Sequence, residues 1–335
     1  HGQEIPSSVR GKAKLSAMSN NQPSYPVFGP QWAWKQYGQS GTWASDLVRH
    51  IGSVSDDLTF IHTMNTPHVN HDPAAIWLYT GFQLAGRPST GAWIHYALGA
   101  DNANLPSFVV LKSQGTQAGV SANSVAWGSG FLPSHHQGVE FRGGAEPVLY
   151  AANPDGLTAE DRGAELEALT LLNRQQYAQS GDPEIMSRLT QYEMAGRMQA
   201  SVPEISDISD EPQSILDMYG PDVHRPGTFA RNALMARRLL ERDVKYVELI
   251  HVGWDHHQNL VQRHPVDCAS VDQPSAALVM DLKQRGLLDD TLLVWGAEFG
   301  RTSYAQGVID TYVGRDPHGG NFTYEGSAEK VWAPD

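Results

Sequence analysis

Cysteine is almost missing from this chain: Cys268 is the only one in 335 residues. No disulfide can form within the chain, and no paired-cysteine metal or redox motif exists. Long apolar runs are absent as well. None approaches the roughly 20 residues that a membrane helix needs, so no membrane span is expected. The first thirty residues also lack the charged-then-apolar pattern of a leader peptide. Basic residues are scarce, with Lys+Arg 24 against Asp+Glu 37 and a net charge of −13. The arginines of "ARRLLER" at 236–242 are too scattered to form a basic face. That balance argues against nucleic acid or an anionic membrane as a partner. GxSxG, GxxxxGK[ST], HExxH and a strand-associated GxGxxG are all missing. Serine-hydrolase, P-loop, zincin and dinucleotide chemistry therefore lack support.

The chain does have a 40% hydrophobic content, enough for a full core. Residues 1–42 are polar and rich in Gly, Pro, Ser and Gln, which predicts an extended arm ahead of one α/β domain over 43–335. "TWASDLVRHIGSVSDD" spaces Trp43, Leu47, Ile51 and Val54 as a helix. "LTFI" at 58–61, "SFVVLKS" at 107–113, "KYVELIHVG" at 245–253 and "TLLVWGAEFG" at 291–300 read as buried strands. "DPAAIWLYTG", "TFARNALMARRLLERD" and "DQPSAALVMDLKQRG" read as helices, and "GRPSTGAW" at 86–93 as a turn. A helical insertion is expected at 157–201, opened by a Thr158/Asp161 capping box and continued by a second helix with Pro183 in its first turn. The last strand, helix and strand have the spacing of a right-handed crossover in a parallel sheet.

In open parallel sheets, ligands bind beyond the carboxyl ends of the strands. Three polar loops fall there: "HTMNTPHVNHD" at 62–72, "HVGWDHHQN" at 251–259 and "GAEFGRT" at 296–302. Imidazole with carboxylate suits zinc, iron or manganese, and carboxylate with amide oxygen suits calcium or magnesium. Asp255 and His257 lie two apart and would point to one side of an extended segment, with His256 on the other. Glu298 stands between glycines, and Arg301 follows as a candidate for holding an oxyanion. Asn70 and His71 stand at a helix start, where an anion is favoured. Asp316 and His318 lie in a further glycine loop.

"NHDPAAIWLYTG", "GRPSTGAWIHYALG", "YEMAGRMQASVPE", "FARNALMARRLLERDVKYVELIHVGWDHH", "DLKQRGLLDDTLLVWGAEFGRT" and "GRDPH" together resemble a sulfatase-like family catalogued as domain of unknown function 1501. That family looks like a branch of the alkaline phosphatase and sulfatase superfamily. The resemblance implies an αβα sandwich with a mostly parallel central sheet and a helical insertion. It also implies a divalent metal (zinc, calcium or manganese) and export to the periplasm or exterior. The implied activity is hydrolysis of sulfate or phosphate esters of small molecules or polysaccharides. Carried over by position, the implied metal ligands are Asp255, His256 or His257, Glu298 and His318, and the nucleophile position falls on His71 beside Asn70. The sequence departs from that pattern in two places. His71 replaces the hydroxyl or formylglycine precursor, and Phe299 replaces a ligating histidine. Metal-bound hydroxide attacking directly, with Arg301 or Asn70 steadying the oxyanion, is the simpler expectation; Thr63 and Thr66 are the alternative hydroxyls. The rival reading is a non-catalytic, metal-stabilised binding protein of the same fold, or an inactive fragment of such an enzyme.

Overall fold

Branched and aromatic residues at 108–111 and 246–250 pair to form the centre of the fold. The computed structural model describes residues 2–10, 19, 22–117, 124–142, 147–148, 156–257 and 259–306. In chain order its elements begin with α1 (Ser7–Arg10), β1 (Trp34–Tyr37), β2 (Thr42–Ser45), α2 (Arg49–Ser53), α3 (His71–Thr80) and α4 (Thr90–Leu98). There follow β3 (Phe108–Gln114), β4 (Val139–Phe141), α5 (Ala159–Ser180), α6 (Pro183–Ser206), α7 (Gln213–Tyr219), α8 (Phe229–Leu240), β5 (Tyr246–Val252) and α9 (Leu260–Gln284). Among the described residues, the main sheet has the order β4-β3-β5, with both pairings parallel. Phe108 stands beside Tyr246, Val110 beside Glu248 and Ser113 beside His251.

Both faces of this small sheet are covered, as a parallel sheet requires. On one face Phe108, Val110 and Ile250 pack with Ala126, Trp127 and the α3 residue Tyr79. Helix α4 comes close enough there that a Cβ on Gly91 would meet the Phe108 ring at 2.5 Å. On the other face Val109 and Leu111 pack against Met198, Val202 and Ile205 of α6 and Met235, Ala236 and Leu239 of α8. The fold class is therefore mixed α/β with a parallel sheet. Among the described residues no helix is long and apolar enough to cross a membrane.

The helical segment starts where local chemistry predicts. Thr158 accepts from the Asp161 N–H, and the Asp161 carboxylate accepts from the Thr158 N–H in return. Asp182 caps α6, with Pro183 at its first position; α6 runs on to Ser206, beyond the expected end at 201. Helix α8 carries Arg237 and Arg238, which form no basic surface because both are buried. Arg237 Nε donates to Asp281 of α9 at 2.9 Å, and its other nitrogens meet Glu241 and Glu211 at 2.6 Å each. This ionic group fastens α8 to α9.

Within the stretch expected as an extended arm, Glu4 bridges Pro26, Val27 bridges Tyr304, and Ile5, Tyr25 and Tyr304 form a small core. Three expectations need correction. Trp43 lies in β2 rather than in a helix, because β1 and β2 form a hairpin across residues 38–41. Helix α9 begins at Leu260, twelve residues before the expected start, and contains Pro265 and Pro274. Burial of Val261, Cys268 and Val271 offsets what those prolines cost. Residues 58–61 and 291–297 form no strand: neither run has a ladder partner, and Leu292, Val294 and Trp295 are exposed. The expected final crossover therefore stops at α9.

Candidate functional site

Gly253 ends β5 with φ +107°, a conformation that side chains other than glycine rarely adopt. A Cβ there would also stand 2.9 Å from the Gln117 carbonyl oxygen. The sharp turn delivers Trp254 to His257 beyond the strand end, and the three histidines of this stretch then take three directions. His251, still on β5, has Nδ1 2.8 Å from Ser113 Oγ and Nε2 3.3 Å from Ser270 Oγ. Burial pushes its imidazole down to about 4, so it is a neutral bridge from β3 to α9. His256 turns inward, with Nε2 2.7 Å from the buried Asp267 carboxylate of α9. Asp267 also accepts from the Thr116 backbone N–H at 2.7 Å and from its hydroxyl at 2.8 Å, which closes the β3 exit against α9. His257 faces outward, with Nε2 2.8 Å from Asp255 Oδ1 and Nδ1 2.7 Å from Gln306 Oε1.

Three separate loops meet at His71. Its Nε2 is 3.2 Å from Asp255 Oδ2, and its Nδ1 is 2.8 Å from Glu298 Oε1. Each of the two contacts needs one hydrogen, on the ring nitrogen or on the carboxyl oxygen. The ring lies 4.9 Å from the Phe299 ring, and the Arg301 guanidinium stands 4.8 Å from the same ring. Arg301 also donates to the Phe299 carbonyl at 3.0 Å and approaches Glu298 to 3.9 Å. Thus Phe299, the departure from the expected pattern, is the plate on which His71 and Arg301 rest. The chain His257–Asp255–His71–Glu298–Arg301 alternates nitrogen groups with carboxylates and is partly open to solvent.

Of the residues expected from sequence, His71, Asp255, His257, Glu298 and Arg301 are brought together. His256 is turned away against Asp267. Asn70 is the N-cap of α3, makes no side-chain capping bond and is exposed. His318 lies outside the described residues. Thr63 is exposed, and the Thr66 hydroxyl oxygen is buried with no hydrogen-bond partner, as is His68 Nε2. Sequence reasoning missed Asp267 and Gln306, which position the two adjacent histidines. Nothing in their local sequence marks them, since each lies on a different segment from its partner. Two imidazoles and two carboxylates are the right donor types for zinc or manganese. As placed, however, they bond one another, and among the described residues no three His, Cys, Asp or Glu side chains are arranged to hold a metal ion.

The profile of a family described as "Protein of unknown function (DUF1501)" matches residues 1–325. The chain belongs to the DUF1501 family. No curated protein and no solved structure matches it. This DUF1501 chain also buries an acid with an unpartnered oxygen: Glu248 of β5 is 7% exposed, and its Oε1 has no hydrogen-bond partner. Burial alone pushes its carboxyl up to about 8. Burial, followed by the charge of Glu248, also pushes Tyr246 up to about 12 and holds the Tyr79 phenol well above its ordinary range. Glu298 contributes to the shift of Tyr79 as well, so α3 carries a phenol within electrostatic reach of both the buried acid and the site.

Proposed function

We propose that the His71 edge is a hydrolytic site for esters of an anionic oxoacid, sulfate or phosphate. One observation carries the reading: a helix-start imidazole is clasped by carboxylates from two separate loops, with a guanidinium on the same aromatic plate. An anionic ester cannot approach two bare carboxylates, and His71 together with Arg301 supplies the counter-charge. Arg301, half-exposed, presents N–H groups to the ester oxygens. Water attacks sulfur or phosphorus and loses its proton to a carboxylate of the Asp255–His71–Glu298 set, Asp255 or Glu298. The bond from that atom to the alcohol oxygen breaks, and the outward-facing His257 returns a proton to the departing oxygen.

Kinship of the DUF1501 family with sulfatases and alkaline phosphatases is part of this proposal and would account for the substrate class. Sulfated or phosphorylated polysaccharides met outside the cytoplasm, and a bound divalent metal, belong to the same proposal. The test is turnover of 4-nitrophenyl sulfate and 4-nitrophenyl phosphate by the full chain, beside His71→Ala and Glu298→Gln, with elemental analysis of each protein. Loss of a positioned acid–base group lowers turnover by about 10²- to 10⁴-fold. Unchanged turnover in His71→Ala overturns the assignment, and metal lost with Glu298→Gln would place an ion at this edge.

A further inference from the structure

Two apolar runs of this chain have strand composition and no ladder. Among the described residues, the backbone of 292–297 and of 59–61 makes no hydrogen bond to other backbone. Leu292 is 89% exposed, Val294 80% and Trp295 61%, whereas Leu293 packs toward Val54, Ala276 and Val279. Exposed, anchored, exposed is the period of a strand with one face covered. Leu58 packs on the same cluster, which brings the exposed Phe60 and Ile61 beside the later run. With about 200 Å² for a fully open large side chain, these five residues expose on the order of 700 Å². The largest apolar patch of an ordinary monomer is about 300–600 Å². Each partner of a standard interface contributes about 800 Å².

We propose that this patch is the interface of a homodimer, in which residues 291–295 pair antiparallel with the same run of a second copy. A twofold at Leu293 sets Leu292 opposite Val294 of the second copy, and Thr291 opposite Trp295. Aliphatic pairs and pairs of an aromatic with a β-branched residue are the ones that stabilise a ladder. The flanking acids decide for a second copy in this register. Asp290 falls opposite Gly296 and Asp289 opposite Ala297, so a chain of net charge −13 meets no like charge across the ladder. A twofold also uses the same edge on both copies at once and closes the assembly at two. Pairing ends before Glu298, Phe299 and Arg301, which leaves the His71 edge outside the ladder. The inference therefore stands apart from the hydrolytic reading.

The experiment is sedimentation velocity of the full chain, with hydrogen exchange of the 292–295 amides measured at the same concentrations. Interfaces of this size hold with dissociation constants from micromolar downward, so a dimer is expected at about 50 μM, with those amides better protected than in a dilute sample. Val294→Lys places a charge on the ladder, the device by which natural edge strands resist pairing, and is expected to weaken the dimer at least about tenfold. Circular dichroism checks that this exposed substitution leaves the fold intact. Should the variant misfold, the concentration dependence of exchange in the unsubstituted chain decides. A monomer at the higher concentration overturns the proposal. If the 292–295 amides of that monomer are protected, another part of the same chain covers the run. A dimer of undiminished strength in folded Val294→Lys, a dimer whose 292–295 amides exchange freely, or an assembly larger than two also overturns it.

Discussion

Replacing Glu248 by Gln removes one ionisable proton from the core and leaves the side chain nearly the same size. In the folded chain the carboxyl is raised to about 8 from an ordinary 4.5, because burial disfavours the charged form. Between those values the native state holds a proton that the unfolded chain has released. Stability from this group is therefore fully present below pH 4.5, falls as the pH rises toward about 8, and is level above that. At about 1.4 kcal/mol per tenfold change in proton concentration, a rise from 4.5 to about 8 corresponds to an upper bound of about 5 kcal/mol. Glutamine has no such dependence, although its amide brings its own donors into a site with no partner for Oε1. Guanidinium unfolding of both proteins between pH 4.5 and 9 isolates the effect, since every other titrating group contributes equally to the two curves. The variant is expected to gain steadily on the parent as the pH rises, reaching a few kcal/mol at pH 9. Parallel curves would refute the claim that Glu248 is buried as a neutral acid.

Arg237→Ala removes one guanidinium from each of the buried Asp281 and Glu211 carboxylates, which keep Arg285 and Arg238 respectively. It should cost about 3–5 kcal/mol in the same unfolding assay, and a loss below 1 kcal/mol would show the group to be dispensable. Burial pushes the Asp281 carboxyl up, but bonds from Arg285 and Gln284 and the charge of Arg237 outweigh it and hold the group below 3.8. That part of the stability is present above 3.8 and is lost as the pH falls through the lower folded value. Gly253→Ala forces a side chain into φ +107° and against the Gln117 carbonyl. A stability loss of about 1–3 kcal/mol, with ester turnover reduced because Asp255 and His257 shift together, is the expected result. Full turnover and a parental melting temperature would contradict it.

Elements fixed by neighbours in sequence were legible. The Thr158/Asp161 box, Pro183, the apolar face of α8 and the branched runs of β3 and β5 each announce themselves within a few residues. The β1–β2 hairpin was signalled too, by Gly38 and Gly41 at φ +67° and +66°, but the polar composition around them concealed it. Helix α9 was legible only after its second proline, since Pro265 reads as a breaker until the surrounding core is known. Within the site, membership of a polar loop rich in His, Asp and Glu was enough to single out His71, Asp255, His257, Glu298 and Arg301 from sequence. It could not show which neighbour each imidazole chooses. Asp267 takes His256, and Gln306 takes His257, across distances along the chain that no local pattern spans.

The runs at 58–61 and 291–295 test how far a strand can be inferred from apolar content. Both carry apolar residues on successive positions, the composition of a strand covered on both faces. In the fold each has one anchored side only. Leu58 and Leu293 dip toward the core formed by Val54, Ala276 and Val279. Phe60, Ile61, Leu292, Val294 and Trp295 remain in solvent. Composition thus tells which residues can be buried, but a ladder partner decides whether a run becomes a strand, and neither run has one among the described residues. The loops of the candidate site nevertheless begin from these two runs, with His71 following the first and Glu298 the second. Their two anchors on one core cluster bring the loop starts to the same place, and the 2.8 Å His71–Glu298 bond closes the gap. What places the site is therefore the shared anchoring of two irregular segments on α9, together with the turn at Gly253, rather than a continuous row of strand ends.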